Sequence, residues 1–229
     1  MIKVAASWSG GKDSCLACYE AIREGYEVSY LVNTISREFR RVRFHGTEAG
    51  LVQKQAQAVG IPLLQKETSG DDYERDFKEA IRSVIQEGVR GVAFGDIRLD
   101  RNRQWAEKIC KELGVRAIEP LWGRSSAQVL RSFVEAGFEA TVVCTQANLL
   151  GEEWVGRKLD KEFIEELVGR KEIDACGENG EYHTLVTDGP LFKKRIEICQ
   201  SRKLMRNGYW FLDIRTYRLV GKAHSASGR

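Results

Sequence analysis

Along its first 120 or so residues the chain alternates short apolar runs with longer amphipathic stretches. Runs at 2–7, 28–33, 61–65, 91–94 and 115–118 read as strands. The stretches between them, 13–24, 48–59, 71–87 and 99–113, read as helices, the last stopped by Gly114. Strand and crossover helix repeating in this way predicts an α/β fold, a doubly wound five-stranded parallel sheet. Pro120-Leu121-Trp122-Gly123 breaks the rhythm, and Ser125 is the predicted N-cap of a helix running to Glu135. Beyond it the pattern predicts a strand at 140–144, a helix at 158–169, a Gly-rich segment at 176–182, and strands around 184–186, 195–199 and 209–219. The expected organisation is therefore a first domain at 1–122, a smaller C-terminal α+β domain at 123–221, and a loose tail at 222–229.

Composition narrows the classes. A chain of 229 residues with 42% hydrophobic and 30% charged residues, and 22 Gly against 3 Pro, is globular rather than fibrous or disordered. A net charge of +3 gives no broad electrostatic handle on a nucleic-acid backbone, so no DNA partner is expected. The longest uncharged stretch is the 12 residues at 140–151, short of the roughly 20 that a membrane-spanning helix needs. With no export segment in the opening residues, the expected location is cytoplasmic. Six scattered Cys in a chain of this size fit reduced thiols better than a disulfide framework.

The chemistry concentrates in Ser9-Gly10-Gly11-Lys12-Asp13-Ser14, between the first strand and the first helix. An open α/β sheet presents ligands there, at a helix N-terminus. Adjacent glycines let the backbone turn sharply and expose N–H groups; Ser9 and Ser14 add hydroxyls, and Lys12 adds a point charge for phosphate oxygens. Asp13 would repel phosphate directly and is the expected Mg²⁺ ligand. The plainer reading of Gly-Gly alone is a glycine turn before a capped helix. The loop is not a Walker A motif, which needs Gly where this chain has Ala6 and Ser or Thr where it has Asp13. No G-x-G-x-x-G or H-E-x-x-H occurs, which removes the dinucleotide fingerprint and the zinc-hydrolase signature.

Ser-Gly-Gly-Lys-Asp-Ser resembles the pyrophosphate (PP) loop of the N-type ATP pyrophosphatases, which activate substrates as adenylates. Three further groups of segments narrow the resemblance: Phe44-His45-Gly46 with Gln55-Ala56 and Gly60-Ile61-Pro62; Phe94-Gly95-Asp96-Ile97 with Pro120-Leu121-Trp122; and the run Cys176-Gly177-Glu178-Asn179-Gly180-Glu181-Tyr182-His183-Thr184 leading to Asp188-Gly189-Pro190. Together, over about residues 1–195, they are similar to the diphthine–ammonia ligase family. The resemblance implies an adenine nucleotide alpha hydrolase-like (HUP-like) first domain that binds ATP and Mg²⁺. It also implies an ATP-dependent amidation with ammonia as nitrogen donor, and diphthine on translation elongation factor 2 as acceptor. The segment Gly95-Asp96-Ile97 with Arg103-Gln104-Trp105 looks closer to a prokaryotic subgroup, which leaves the acceptor open. A homo-oligomer is compatible with all of this.

On this reading the ATP site is Ser7, Ser9, Gly10, Gly11, Lys12, Asp13, Ser14, Asn33, Thr34, His45, Gly95 and Asp96. Asn33, Thr34, Gly95 and Asp96 belong to it because strand ends line the ligand crevice. The catalytic set is Lys12, Asp13, Glu181 and His183, and the acceptor or ammonia site is Glu178, Asn179, Gly180, Glu181, Tyr182, His183 and Thr184. A solvated hairpin loop is the plainer reading of that last segment. The Arg-rich stretch 36–43 reads as a mobile loop that either meets polyphosphate or is merely solvated. Cys15 and Cys18 form a C-x-x-C on one helix face and are expected to be packing residues; as sulfur-transfer groups they would instead point to a tRNA-modifying thiolase. A non-catalytic ATP- or AMP-binding module is the other alternative. Trp105, Trp122, Trp154 and Trp210 show no stacking stripe and are expected in core or interface packing.

Overall fold

The computed structural model describes residues 1–39, 41–42 and 46–222. In the first half, β1 (Lys3–Ser7), β2 (Glu27–Ser36), β3 (Leu63–Thr68), β4 (Gly91–Ala93) and β5 (Arg116–Ile118) form a sheet in the order β3-β2-β1-β4-β5. Every pairing within it is parallel. Helices α1 (Lys12–Arg23), α2 (Ala49–Val59), α3 (Tyr73–Gln86) and α4 (Asp100–Leu113) connect the strands. The two-residue period of β1 divides the packing: Val4 and Ala6 join α1 and α2 on one face, and Ala5 joins Phe77, Ile81 and Ile109 of α3 and α4 on the other. The chain thus reverses its winding between β1 and β4. At such a switch point the strand C-termini open a crevice, and β1 delivers the Gly-rich loop into it.

The second half holds α5 (Ser126–Glu135), β6 (Glu139–Gln146), a 3-10 turn at Glu152–Trp154, α6 (Lys161–Val168), β7 (Tyr182–Asp188), β8 (Lys194–Arg206) and β9 (Tyr209–Gly221). Its strands form an antiparallel sheet in the order β7-β6-β9-β8. Ser125 caps α5 through a capping box: its hydroxyl accepts from Gln128 N at 3.3 Å, and Gln128 Oε1 accepts from Ser125 N at 2.9 Å. Helix α6 starts later than expected, because the Asp160 side chain accepts from Phe163 N at 3.0 Å and sets the N-terminus there.

The larger departure is β8, which runs to Arg206 instead of stopping near residue 199. Residues 200–206 are exposed, with no buried side to betray a strand. Their pairing with β9 is set by the two-residue turn Asn207-Gly208, with φ of 51° and 79°, the geometry that a tight hairpin requires. Both halves share one buried cluster extending from Val4 to Ile214. Backbone bonds also cross between them, from Val186 N to Gly10 O at 3.0 Å and from Lys193 N to Ala58 O at 2.7 Å. Among the described residues no helix is long and apolar enough to cross a membrane.

Candidate active site

The loop after β1 is held from behind by one buried amide. Gln55, on the core side of α2 and fully buried, donates from Nε2 to Gly10 O at 2.9 Å and to Val186 O at 2.7 Å. Its Oε1 accepts from Trp8 Nε1 at 3.4 Å. Gly10 sits at φ 80°, and a Cβ there would lie 2.1 Å from Gln55 Oε1, so the position excludes every other residue on two counts. Gly11 then caps α1 without a side-chain partner of its own. The first turn of the helix is trimmed by neighbouring hydroxyls: Ser9 Oγ accepts from Gly11 N at 3.3 Å and lies 3.2 Å from Ser14 Oγ. Thr184 Oγ1 of β7 accepts from Lys12 N at 3.0 Å. Gly95 packs on this turn, and a Cβ on it would approach the Asp13 carbonyl carbon to 2.8 Å.

Lys12 is 3% exposed and reaches toward the segment before β7. Its Nζ donates to Asp13 Oδ2 at 2.9 Å and to the Cys176 carbonyl, and lies 4.8 Å above the Tyr182 ring. Burial alone would pull its pKa down. Asp13 leads the groups that outweigh burial and keep the ammonium protonated. Burial pushes the Asp13 carboxyl up and Lys12 offsets part of that; its Oδ1 is buried without a hydrogen-bond partner. Burial, followed by the charge of Asp13, pushes Glu178 up to about 7 against the opposing hydrogen bond from Arg98 N at 3.3 Å. Burial also raises Asp96, which accepts from Asn102 Nδ2 at 3.0 Å.

These groups surround a cavity of about 540 Å³. Ser7, Ser9, Lys12, Asp13, Ser14, Asn33, Thr34, Gly95 and Asp96 of the expected ATP set line it, as do Glu178, Tyr182, His183 and Thr184 of the other set. Gly10 and Gly11 lie outside the lining and shape the turn behind it. Asn33 spends its amide on protein partners, donating to Trp8 O at 2.7 Å and accepting from Gln65 Nε2 at 3.0 Å. His45 falls outside the described residues.

Asn179, Gly180 and Glu181 do not line the cavity. Glu181 is 3% exposed, and its two oxygens accept from Asp174 N at 2.8 Å, Asn179 N at 3.0 Å and Asn179 Nδ2 at 3.1 Å. It organises the loop that carries Glu178, where the sequence had pointed to direct contact with a substrate. Asp174 does the same from the other end, accepting from Ser126 Oγ at 2.7 Å and from Cys176 N at 2.9 Å, and pairing with Arg98.

Several lining residues escaped the sequence reading. Tyr73, Phe77, Phe94 and Trp105 form an aromatic wall, with ring centroids 5.3 Å apart for Phe77 and Trp105 and 5.6 Å for Tyr73 and Trp105. Trp105, expected as plain packing, thus faces the cavity. Its spacing on α4 looks like any amphipathic position; only its neighbours from α3 and β4 distinguish it. Gln55 did leave a trace, as a polar side chain at an inward position of α2.

Of the buried thiols, Cys15, Cys18, Cys110 and Cys144 stand apart from the cavity and Cys176 lines it. Cys15 and Cys18 are buried in the core, and burial raises both pKa values, Cys18 to about 12. Cys144 is likewise pushed up to about 12, and burial also raises Cys176. A thiol held protonated is a poor nucleophile.

Sequence comparison adds two matches that together run nearly the length of the chain. Residues 2–117 match the diphthamide synthase N-terminal domain, and residues 125–220 match the diphthamide synthase C-terminal domain. Diphthine–ammonia ligase of Rattus norvegicus is 28% identical, covering 96% of this chain and 91% of that protein. The Danio rerio protein of the same name is 29% identical, covering 98% and 96%. The Schizosaccharomyces pombe protein is 30% identical over 87% of this chain but only 36% of its own length. Among solved structures, a predicted subunit of tRNA methyltransferase from Methanocaldococcus jannaschii covers 83% of this chain with a TM-score of 0.48 and 14% identity.

Proposed function

The chain belongs to the diphthamide synthase family, and on that premise we propose that it is an ATP-dependent amide ligase. A carboxylate attacks the α-phosphate of ATP, pyrophosphate leaves, and ammonia displaces AMP from the acyl-adenylate to give the amide. Activation is needed because a carboxylate is a poor electrophile and AMP is a good leaving group. The observation that carries the reading is Lys12, held charged between the Gly-rich loop and the Cys176 carbonyl. There it can meet the charge that grows on the phosphates as the α–β bond breaks. The positive end of α1 faces the same cavity.

In this reading residues 1–122 supply the ATP site and 123–221 present the acceptor. Glu178 faces Asp13 across the cavity and, with a pKa of about 7, takes the proton that the ammonia nitrogen loses as the amide forms. His183 and Tyr182 line the acceptor side. The acceptor is the diphthine carboxylate, by analogy with what the relatives' names say of them, and its carrier is elongation factor 2, as the family resemblance implies.

Mg²⁺ fits the residues present. Asp13 leaves one buried carboxylate oxygen without a partner, and Asp96 and Glu178 line the same cavity. Among the described residues no three such side chains converge into a closed metal site, so phosphate oxygens and water would complete the shell, as is usual for Mg²⁺. A cation held by Asp13 would neutralise charge on the triphosphate.

The test is product analysis with ATP, ammonium and diphthine-bearing elongation factor 2. AMP and pyrophosphate formed together with an acceptor whose acid has become an amide are the expected result. Binding of ATP without AMP formation would leave a nucleotide-binding module, and dependence on tRNA and a sulfur donor would revive the thiolase.

A further inference from the structure

A second cavity of about 780 Å³ opens beside the first, at the C-terminal ends of β2 and β3. Val42 lines both, so the two adjoin at that residue. One wall is the segment after β2, with Arg37, Phe39 and Arg41; the other is one face of the β8–β9 hairpin. Cross-strand partners share a face, and the pairs Leu204 with Phe211 and Arg202 with Asp213 assign that face to the groove. Its floor is apolar, and Phe39 stands 56% exposed at its edge.

The hairpin also carries the protein's charge asymmetry. Residues 194–221 hold seven Lys or Arg against two acidic residues, a net +5 in a chain that totals +3. Asp213 is already shared by Arg202, Arg215 and Arg41. Among the described residues that line the groove, Arg37 and Arg206, on opposite walls, have no acidic partner, and with Arg41 they outnumber the two acidic lining residues, Glu38 and Asp213.

We infer that this groove docks the protein that carries the acceptor carboxylate, gripping an acidic segment that also presents apolar side chains. The inference rests on the ligase reading for what the partner carries, and on the groove itself for how it binds. The apolar floor matches aliphatic side chains, the two unpaired guanidinium groups match carboxylates, and the shared wall at Val42 sets a docked segment beside the cavity that would take its modified residue. A phosphate backbone would satisfy the arginines but leave the apolar floor uncovered, which favours protein over nucleic acid.

The probe is a fluorescein-labelled peptide of alternating Glu and Leu, followed by anisotropy, with poly(U) as the nucleic-acid competitor. Wild-type protein should bind the peptide in a salt-weakened manner. The double variant Arg37→Glu/Arg206→Glu should bind at least about ten-fold more weakly while ATP affinity stays within about two-fold by calorimetry. Arg37→Gln/Arg206→Gln, which removes charge without adding repulsion, should fall between. No binding by the wild type, equal binding by both variants, or displacement of the peptide by poly(U) at equal charge would overturn the assignment. Peptide binding that survives in a protein forming no AMP would sink the ligase reading and leave the groove standing.

Discussion

Gln55 and Gly10 constrain each other: the amide that holds the Gly10 carbonyl at 2.9 Å fills the space, 2.1 Å away, that a Cβ on residue 10 would need. The glycine makes room for the glutamine, and the glutamine fixes the curvature of the Gly-rich loop.

Gln55→Leu should therefore damage the loop without emptying the core. The change keeps bulk but leaves the Val186 carbonyl and the Trp8 indole N–H without their Gln55 partners in a buried setting, a loss of about 1–3 kcal/mol. Denaturant unfolding should report that loss, and calorimetry should show weaker ATP binding in the folded variant. Wild-type values in both would remove Gln55 from the site.

Lys12→Met keeps length and apolar contact with Tyr182 while deleting the charge. We expect ATP to bind still and AMP formation to slow by roughly 10²–10³, the range for loss of a preorganised electrostatic contact. Single-turnover kinetics separate the two effects. An unchanged rate would show that the ammonium of Lys12 only ties the loop to Cys176.

Glu181→Gln tests an assignment that the structure changed. All three donors that meet Glu181 are N–H groups from residues 174 and 179, so an amide NH₂ would face a donor with a donor. The loop should loosen at a cost of about 1–3 kcal/mol, and reactivity should fall because Glu178 and the Cys176 carbonyl are displaced. Faster amide exchange at residues 174–181 with a wild-type pattern elsewhere is the expected signature. Lost turnover with unaltered exchange would instead return Glu181 to direct substrate contact.

The acidic groups of the cavity give the apo protein a pH dependence. Glu178 has a folded pKa of about 7, above its ordinary 4.5. Between those values the folded state keeps a proton that the unfolded chain has released, so stability is fullest below the window and declines as pH rises through it. Burial gives Asp13 and Asp96 the same sign. Glu178→Gln should flatten, without abolishing, the fall in thermal midpoint between pH 5 and pH 8. A slope identical to wild type would mean that Glu178 is not buried as described.

What the chain's pattern revealed and what it concealed follow from the range of the interactions. Strand alternation, the stop at Gly114 and the cap at Ser125 are local, and each is readable within a few residues. The turn at 9–14 was equally legible, because the whole run Ser-Gly-Gly-Lys-Asp-Ser, and not the glycine pair alone, lies within six residues between strand and helix. Gln55, Asp174 and the wall of Tyr73, Phe77 and Trp105 acquire their roles only from partners far away in sequence, such as Val186, 131 positions beyond Gln55. The far half of β8 was lost for a different reason. It is polar and exposed, so hydrophobic periodicity is silent there, although Asn207-Gly208 carried the turn signal.

The bond from Lys12 N to Thr184 Oγ1 joins residues 172 apart in the chain. During synthesis at about 5–20 residues per second, roughly 10–35 s separate the emergence of the two ends of that contact. The Gly-rich loop precedes both partners in the chain, so for that interval it lacks the strand that trims its first turn and the carbonyl that steadies Lys12. A nascent chain carrying only the parallel sheet therefore has the motif of the Gly-rich loop without its finished geometry, which is completed only when β7 arrives.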